Sequence, residues 1–215
     1  NMSSEEKFDA IVVGGGLAGS AAALTMARAG LDVMLLERGK FCGAKNVSGG
    51  RLYGHSLEKL IPNYAAEAPL ERKITQERLS LMTEKGALSF EYGSDKLADL
   101  KYPSYSVLRS KFDKWLADKA EEAGTMVACG FNVDELVVED GKVIGIKAGG
   151  EEFDADVVIL ADGVNSLLAQ QIGMKAEMEP KDVAVGVKEV IELGEQAIND
   201  RFNLKDSSEG CAWMM

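Results

Sequence analysis

Apolar positions along this chain fall into runs of two kinds, and their order sets the first expectations. Three short stretches are apolar at nearly every position: Phe8-Asp9-Ala10-Ile11-Val12-Val13, Val33-Met34-Leu35-Leu36 and Val157-Val158-Ile159-Leu160-Ala161. Runs of this length predict strands buried on both faces, as in a parallel sheet. Between the first two, Gly14-Gly15-Gly16 breaks the run. Residues 17–29 then follow, rich in alanine with Leu24 and Met26, which are strong helix formers. Gly30 stands where a left-handed C-cap is expected. Strand, glycine turn, helix and strand in this order predict one right-handed βαβ unit.

The second kind of run is periodic. Leu108, Phe112, Trp115, Leu116 and Ala120 recur at helical spacing and predict an amphipathic helix over 106–123, capped by Gly124. Strands are expected near Leu79–Met82 and Leu88–Tyr92, and again at Thr125–Ala128. Residues 133–139 and 142–148 alternate around Asp140-Gly141, a strong hairpin signal. The stretch 39–54, with Gly39, Gly43, Gly49, Gly50 and Gly54, reads as a long loop. Val183–Val190 reads as a strand opening a second domain. The expected plan is α/β: a parallel sheet carrying an inserted antiparallel meander, then the start of an α+β domain. Residues 1–6 read as a tag remnant with a disordered N-terminus. Residues 7–180 read as a nucleotide-type domain with an insertion around 57–105, and 181–215 as the beginning of the second domain. The chain stops inside the apolar run Ala212-Trp213-Met214-Met215, so that domain is expected to be truncated.

Composition narrows the function. Lys plus Arg number 24 and Asp plus Glu 35, a net charge of −11. That balance argues against nucleic acid, whose phosphates require a basic face, and against basic anchoring to anionic lipid. A hydrophobic fraction of 46% is enough for a core. The thiols Cys42, Cys129 and Cys211 are far apart, with no C-x-x-C pair, so no metal or cluster motif is present. With a single histidine, His55, a relay of two is excluded. The widely spaced thiols fit a reducing, cytoplasmic setting. No apolar run of about 18 residues predicts a transmembrane helix.

The chemistry sits at Gly14-x-Gly16-x-x-Gly19, between the first strand and the helix. Gly14 suits the tight turn, Gly16 lets backbone approach a pyrophosphate, and Gly19 permits helix to pack on strand. The diphosphate would rest on the helix N-terminus, where the amides of Leu17 and Ala18 and the helix dipole favour negative charge. Glu37 ends the second strand, and its carboxylate can accept hydrogen bonds from both ribose hydroxyls. The bland alternative is a glycine-rich turn that binds nothing. At this point the dinucleotide is NAD or FAD.

The residues after Glu37 separate the two. A run of βα units does not follow; a glycine-rich loop, a helix and a small meander do. That plan resembles the FAD-binding domain of flavoprotein oxidoreductases related to p-hydroxybenzoate hydroxylase, which is Rossmann-like. Three motifs sharpen it: Gly43-Ala44-Lys45-Asn46-Val47-Ser48-Gly49-Gly50-Arg51-Leu52-Tyr53, Tyr105-Ser106-Val107-Leu108-Arg109-x-x-Phe112-Asp113, and Ala161-Asp162-Gly163-Val164-Asn165-Ser166. Together they are similar to the electron-transfer flavoprotein–quinone oxidoreductase family, in its short Fix-type bacterial branch. The resemblance implies FAD, with Gly14, Gly16, Leu17, Ala18 and Gly19 at the pyrophosphate and Glu37 at the ribose. It further implies that Arg38 and Lys45 flank the cofactor and that Ser48, Gly49 and Gly50 approach the flavin. Arg109 would reach toward the cofactor, Val133 would meet the adenine through its backbone, and Asp162 and Gly163 would cover the middle.

The function so implied is passage of electrons from an electron-transfer flavoprotein, through a ferredoxin-like partner or directly, to quinone. The protein would be cytoplasmic or peripheral at the inner face of the membrane. Two alternatives stay open: a flavin reductase of prenyl double bonds, like the geranylgeranyl reductases, and a non-catalytic dinucleotide-binding module. No catalytic residue is assigned; His55 reads as an exposed loop histidine and Cys42 as a small loop residue.

Overall fold

The computed structural model describes residues 7–46 and 49–215. In chain order the strands are β1 (Phe8–Val13), β2 (Val33–Glu37), β3 (Gly49–Tyr53), β4 (Leu70–Thr83), β5 (Gly86–Gly93), β6 (Ser104–Leu108), β7 (Met126–Cys129), β8 (Val133–Glu139), β9 (Lys142–Ala148), β10 (Glu151–Leu160) and β11 (Glu209–Met214). The helices are α1 (Leu17–Arg28), α2 (Gly54–Leu60), α3 (Asp95–Ala98), α4 (Arg109–Glu122), α5 (Leu167–Gln171) and α6 (Glu195–Phe202). Two compact units result, one of residues 1–46 and 113–187, the other of 47–112 and 188–215. The boundary between them falls after 187 rather than 180, and the unit of the last residues also takes in 47–112.

The first unit is built on a six-stranded sheet in the order β7-β2-β1-β10-β9-β8. The first four strands are parallel, and the β8–β9 hairpin adds antiparallel strands beyond β10. Chain order and sheet order differ: β1 pairs on one side with β2 and on the other with β10. Ile11, Val12, Val33 and Leu35 are fully buried, as continuous apolar strands require when both faces are covered. Helix α1 buries Gly19, Ser20, Ala23, Leu24 and Ala27, one face at three- and four-residue steps. The hairpin turn has Asp140 at φ 48° and Gly141 at φ 79°, the two left-handed residues that match strand twist.

The second unit carries a sheet in the order β11-β4-β6-β3, with β5 paired to β4. The last strand, β11, runs parallel to β4. Arg72 ties this unit together: its guanidinium donates to Asn199 Oδ1 on α6 at 2.7 Å and to the Glu209 carbonyl on β11 at 3.0 Å. Trp213 donates from Nε1 to Ser80 Oγ at 2.8 Å, with the Arg78 guanidinium 4.7 Å from its ring centre.

Three expectations need correction. The loop expected over 39–54 ends early, because Gly49–Tyr53 pair with β6 and Gly54 opens a helix. The helix expected from 106 begins at Arg109, because Ser104–Leu108 are held in that same ladder. Val183–Val190 is not a strand; residues 183–194 carry no regular structure. Alternation alone cannot make a strand without a neighbour to complete its ladder, and Val185 and Val187 are 95% and 92% exposed.

Candidate cofactor site

The glycine turn is built as its spacing demands. Gly14 has φ 108°, a left-handed conformation, and a Cβ there would lie 2.3 Å from the Ala161 carbonyl oxygen. A Cβ at Gly19 would lie 1.9 Å from the Gly14 carbonyl, so this glycine lets α1 sit against the turn. At Gly16 an added Cβ would meet no atom of the described residues within 4 Å. The space beside that backbone is open, and no side chain caps α1, whose first turn has no acidic residue. Uncapped amides with open space before them suit an anion.

Backbone bonds extend the sheet edge on both sides of the turn. The amide of Gly14 donates to the Leu36 carbonyl and that of Ala161 to Val13, each at 2.8 Å. The ends of β1, β2 and β10 therefore lie side by side at the edge that carries the turn. Glu37 binds the turn to the exit of β2. Its Oε2 accepts from the Gly15 amide at 2.9 Å and its Oε1 from the Gly39 amide at 2.6 Å. A carboxylate offers about four acceptor positions, so two remain for hydroxyl donors.

A cavity of about 220 Å³ opens at this edge. Of the residues singled out from the sequence, Gly14, Gly16, Glu37, Arg38, Lys45, Val133, Asp162 and Gly163 line it. Leu17, Ala18 and Gly19 start the adjoining helix without lining it. Arg38 and Lys45 are exposed cations on the rim. Asp162 accepts from the Leu168 amide through Oδ2 at 3.3 Å, and Gly163 takes φ 81° in the turn toward α5. Gly49, Gly50 and Arg109 belong to the second unit, the glycines on β3 and Arg109 at the start of α4. Ser48 lies outside the described residues. His55 is exposed on α2, edge-on to Tyr102 and 3.2 Å from Ser56 Oγ.

Sequence reasoning missed Asn46, Phe131, Asn132 and Asn165 on the cavity wall. Phe131 and Asn132 come into place because β7 pairs with β2. The Phe131 amide donates to the Glu37 carbonyl at 3.1 Å and that of Gly130 to Gly39 at 2.8 Å. Asn46 donates from its amide to the carboxylate of Asp113, which is fully buried on α4. The pairing of β7 beside β2 also sets Cys42 and Cys129 side by side, with their sulfurs 3.9 Å apart. Burial first, then the neighbouring Cys129 and the charge of Glu37, pushes the Cys42 thiol up to about 12. A thiol so placed stays protonated at neutral pH.

A glycine turn of this geometry at a parallel-sheet edge, with an acid ending the second strand, defines a dinucleotide-binding protein. The chain belongs to the FAD-dependent oxidoreductase family, whose model it matches over residues 9–187. The family's cofactor is FAD, and the open backbone at Gly16, the uncapped helix and the rim cations fit its diphosphate. Among relatives, Protein FixC of Salmonella typhi is 56% identical over 97% of this chain and 49% of its own length. The "Probable electron transfer flavoprotein-quinone oxidoreductase YdiS" of Escherichia coli strain K12 is 52% identical over 98% of this chain and 49% of its own. The chain thus spans about half the length of the curated relatives it matches. A geranylgeranyl bacteriochlorophyll reductase-like protein from Thermoplasma acidophilum has a similar structure, with a TM-score of 0.65 and 28% identity. That match covers 79% of this chain and 43% of the other.

Proposed function

We propose that the chain is the FAD-holding part of an oxidoreductase that receives electrons from an electron-transfer flavoprotein and passes them toward quinone. The observation that carries this reading is the 52% identity, along nearly the whole chain, to a relative named for that activity. Bound FAD supplies the redox chemistry, and the protein supplies binding, orientation and electrostatics.

In this reading the backbone at Gly14, Gly16 and Gly19 and the first amides of α1, at Leu17 and Ala18, hold the diphosphate. Arg38 and Lys45 balance its charge from the rim. Glu37 accepts from the ribose hydroxyls while keeping its bonds to Gly15 and Gly39. Val133 meets the adenine through its backbone, and Asp162 and Gly163 cover the centre of the cofactor. Ser48, Gly49, Gly50 and Arg109 serve the flavin side. With a single histidine in the chain, the reading asks for no histidine pair among these residues, and bound flavin would supply the electron transfer. A ferredoxin-like carrier would stand between this protein and quinone, and the protein would work at the inner membrane face as a peripheral component. No helix among the described residues is long and apolar enough to cross a membrane.

The test is reductive bleaching of the FAD in the full-length protein. Reduced electron-transfer flavoprotein should bleach it rapidly, and NADH or NADPH slowly. The structural likeness to the geranylgeranyl reductase-like protein supports a second reading, reduction of prenyl double bonds. Rapid bleaching by NADPH, or turnover of a prenyl substrate, would establish that reading instead.

A further inference from the structure

Cys42 and Cys129 are 87 residues apart in sequence, yet their sulfurs lie 3.9 Å apart beneath the glycine turn. Cys129 ends β7 as the register partner of Glu37. Cys42 follows β2 and is only 2% exposed, whereas Cys129 is partly exposed. On its other side the Cys42 sulfur fills the space beside Gly15: a Cβ at Gly15 would lie 2.3 Å from Cys42 Sγ and 3.0 Å from Glu37 Cβ. The same Gly15 donates its amide to Glu37. One sulfur atom therefore packs against both the turn and the second thiol.

We propose that Cys42 and Cys129 are a site of reversible disulfide formation by a hydroperoxide, and that closing the bond loosens the glycine turn and weakens its hold on FAD. A disulfide requires sulfurs about 2.05 Å apart. Closing the 3.9 Å gap draws them together by nearly half its length, and whatever part of that travel Cys42 makes is taken from its contact with Gly15. The turn then loses the packing that fixes Gly15 against Glu37. Cys129, the sulfur within reach of solvent, reacts first: its thiol and the hydroperoxide give a sulfenic acid and an alcohol, or water from hydrogen peroxide. The Cys42 thiol then attacks that sulfur. The S–O bond breaks as the S–S bond forms, and the hydroxyl leaves with the Cys42 proton as water. Two electrons pass from the sulfur pair to the O–O bond of the peroxide. Burial of Cys42 keeps it from reacting with reagents in solution, so only a neighbour can reach it. The disulfide itself is independent of the site assignment; its effect on cofactor affinity rests on the FAD reading above.

The experiment treats the full-length protein, with FAD bound, with hydrogen peroxide, then alkylates free thiols and digests with trypsin without reductant. A peptide of Phe41–Lys45 joined to Ala120–Lys142, two hydrogens lighter than the sum and separated by dithiothreitol, is the expected product. Finding Cys42 alkylated after denaturation, with Cys129 unlinked, overoxidised or joined to Cys211, would overturn the pairing. Oxidation should lower FAD affinity by on the order of tenfold, within the range usual for coupled sites. Dithiothreitol should restore it, and Cys129→Ser, a change at a partly exposed position, should abolish the response. An affinity unchanged by a disulfide that does form would overturn the coupling. Failure of the reduced protein to bind FAD would refute the cofactor reading, and the peptide map would still decide the pairing.

Discussion

Replacing Glu37 with alanine separates its two tasks. In the apo protein its carboxylate accepts from the Gly15 and Gly39 amides at 2.9 and 2.6 Å. Hydrogen bonds to a charged acceptor each contribute about 1.5–3 kcal/mol. The side chain is only half-buried, so water replaces part of what is lost, and a total of about 2–3 kcal/mol is the reasonable scale. At roughly 2–4 °C per kcal/mol for a chain of this size, Glu37→Ala should melt about 5–10 °C lower. The loss for FAD is separate: two ribose hydroxyls lose their acceptor, and affinity should fall by roughly 10- to 100-fold, at about 1.4 kcal/mol per tenfold. Differential scanning fluorimetry of the apo form and titration of FAD by fluorescence quenching measure the two effects independently. Glu37→Gln, which keeps one carbonyl acceptor without the charge, should fall between parent and alanine on both. An alanine variant that binds FAD as tightly as the parent would show that Glu37 does not hold the ribose. One that melts at the parent's temperature would show that its bonds to the two amides carry no stability.

Gly16→Val should leave apo melting nearly unchanged, since a Cβ there meets none of the described residues within 4 Å, and yet abolish FAD binding by filling the space of the diphosphate. Gly14→Ala should instead give little folded protein, because φ 108° and a 2.3 Å approach to the Ala161 carbonyl strain any side chain; soluble yield and circular dichroism distinguish the two. Gly15→Ala should be destabilised by about 1–3 kcal/mol through the clash with Cys42 Sγ, and Cys42→Ala should rescue most of that loss in a double-mutant cycle. The Cys42 thiol rises from 9.0 to about 12 on folding, so between those values the folded form keeps a proton that the unfolded thiol has lost. Stability should therefore fall as pH rises above about 9. Cys42→Ala should flatten the slope without removing it, because Tyr64 is raised to about 12 by burial as well.

What was legible in the sequence is local. Gly14, Gly16 and Gly19 act within one turn and one helix start. Asp140-Gly141 specifies its own φ angles, and the apolar strands β1, β2 and β10 declare burial through composition. The arrangement of β7 beside β2 is not local, and with it came Phe131, Asn132 and the meeting of Cys42 with Cys129. No spacing rule links residues 87 apart whose contact depends on a strand order set by an intervening insertion. The same limit explains the short strands. Gly49–Tyr53 has a glycine pair where strand formers are expected, and only pairing with Ser104–Leu108 makes it a strand. Val183–Val190 fails in the opposite sense, with an apolar pattern but no ladder. Glu37 was recognised as a candidate for the ribose, but its bonds to Gly15 and Gly39 were not. Those depend on how the chain turns after β2.

The place of β1 between β2 and β10 has a consequence during synthesis. β1 and β2 leave the ribosome well before β10, and the partner for the other edge of β1 is complete only at Leu160, 160 − 13 = 147 residues after Val13. At roughly 5–20 residues per second, that edge waits on the order of 10–30 s for its ladder. Throughout the interval Ile11, Val12 and Val13 present an unpaired apolar strand, the kind of edge that recruits other chains. The carbonyl of Ala161, against which Gly14 is shaped, arrives only after β10. A nascent chain therefore cannot finish its nucleotide turn until the antiparallel hairpin has been made, and until then the cofactor has no finished place to bind.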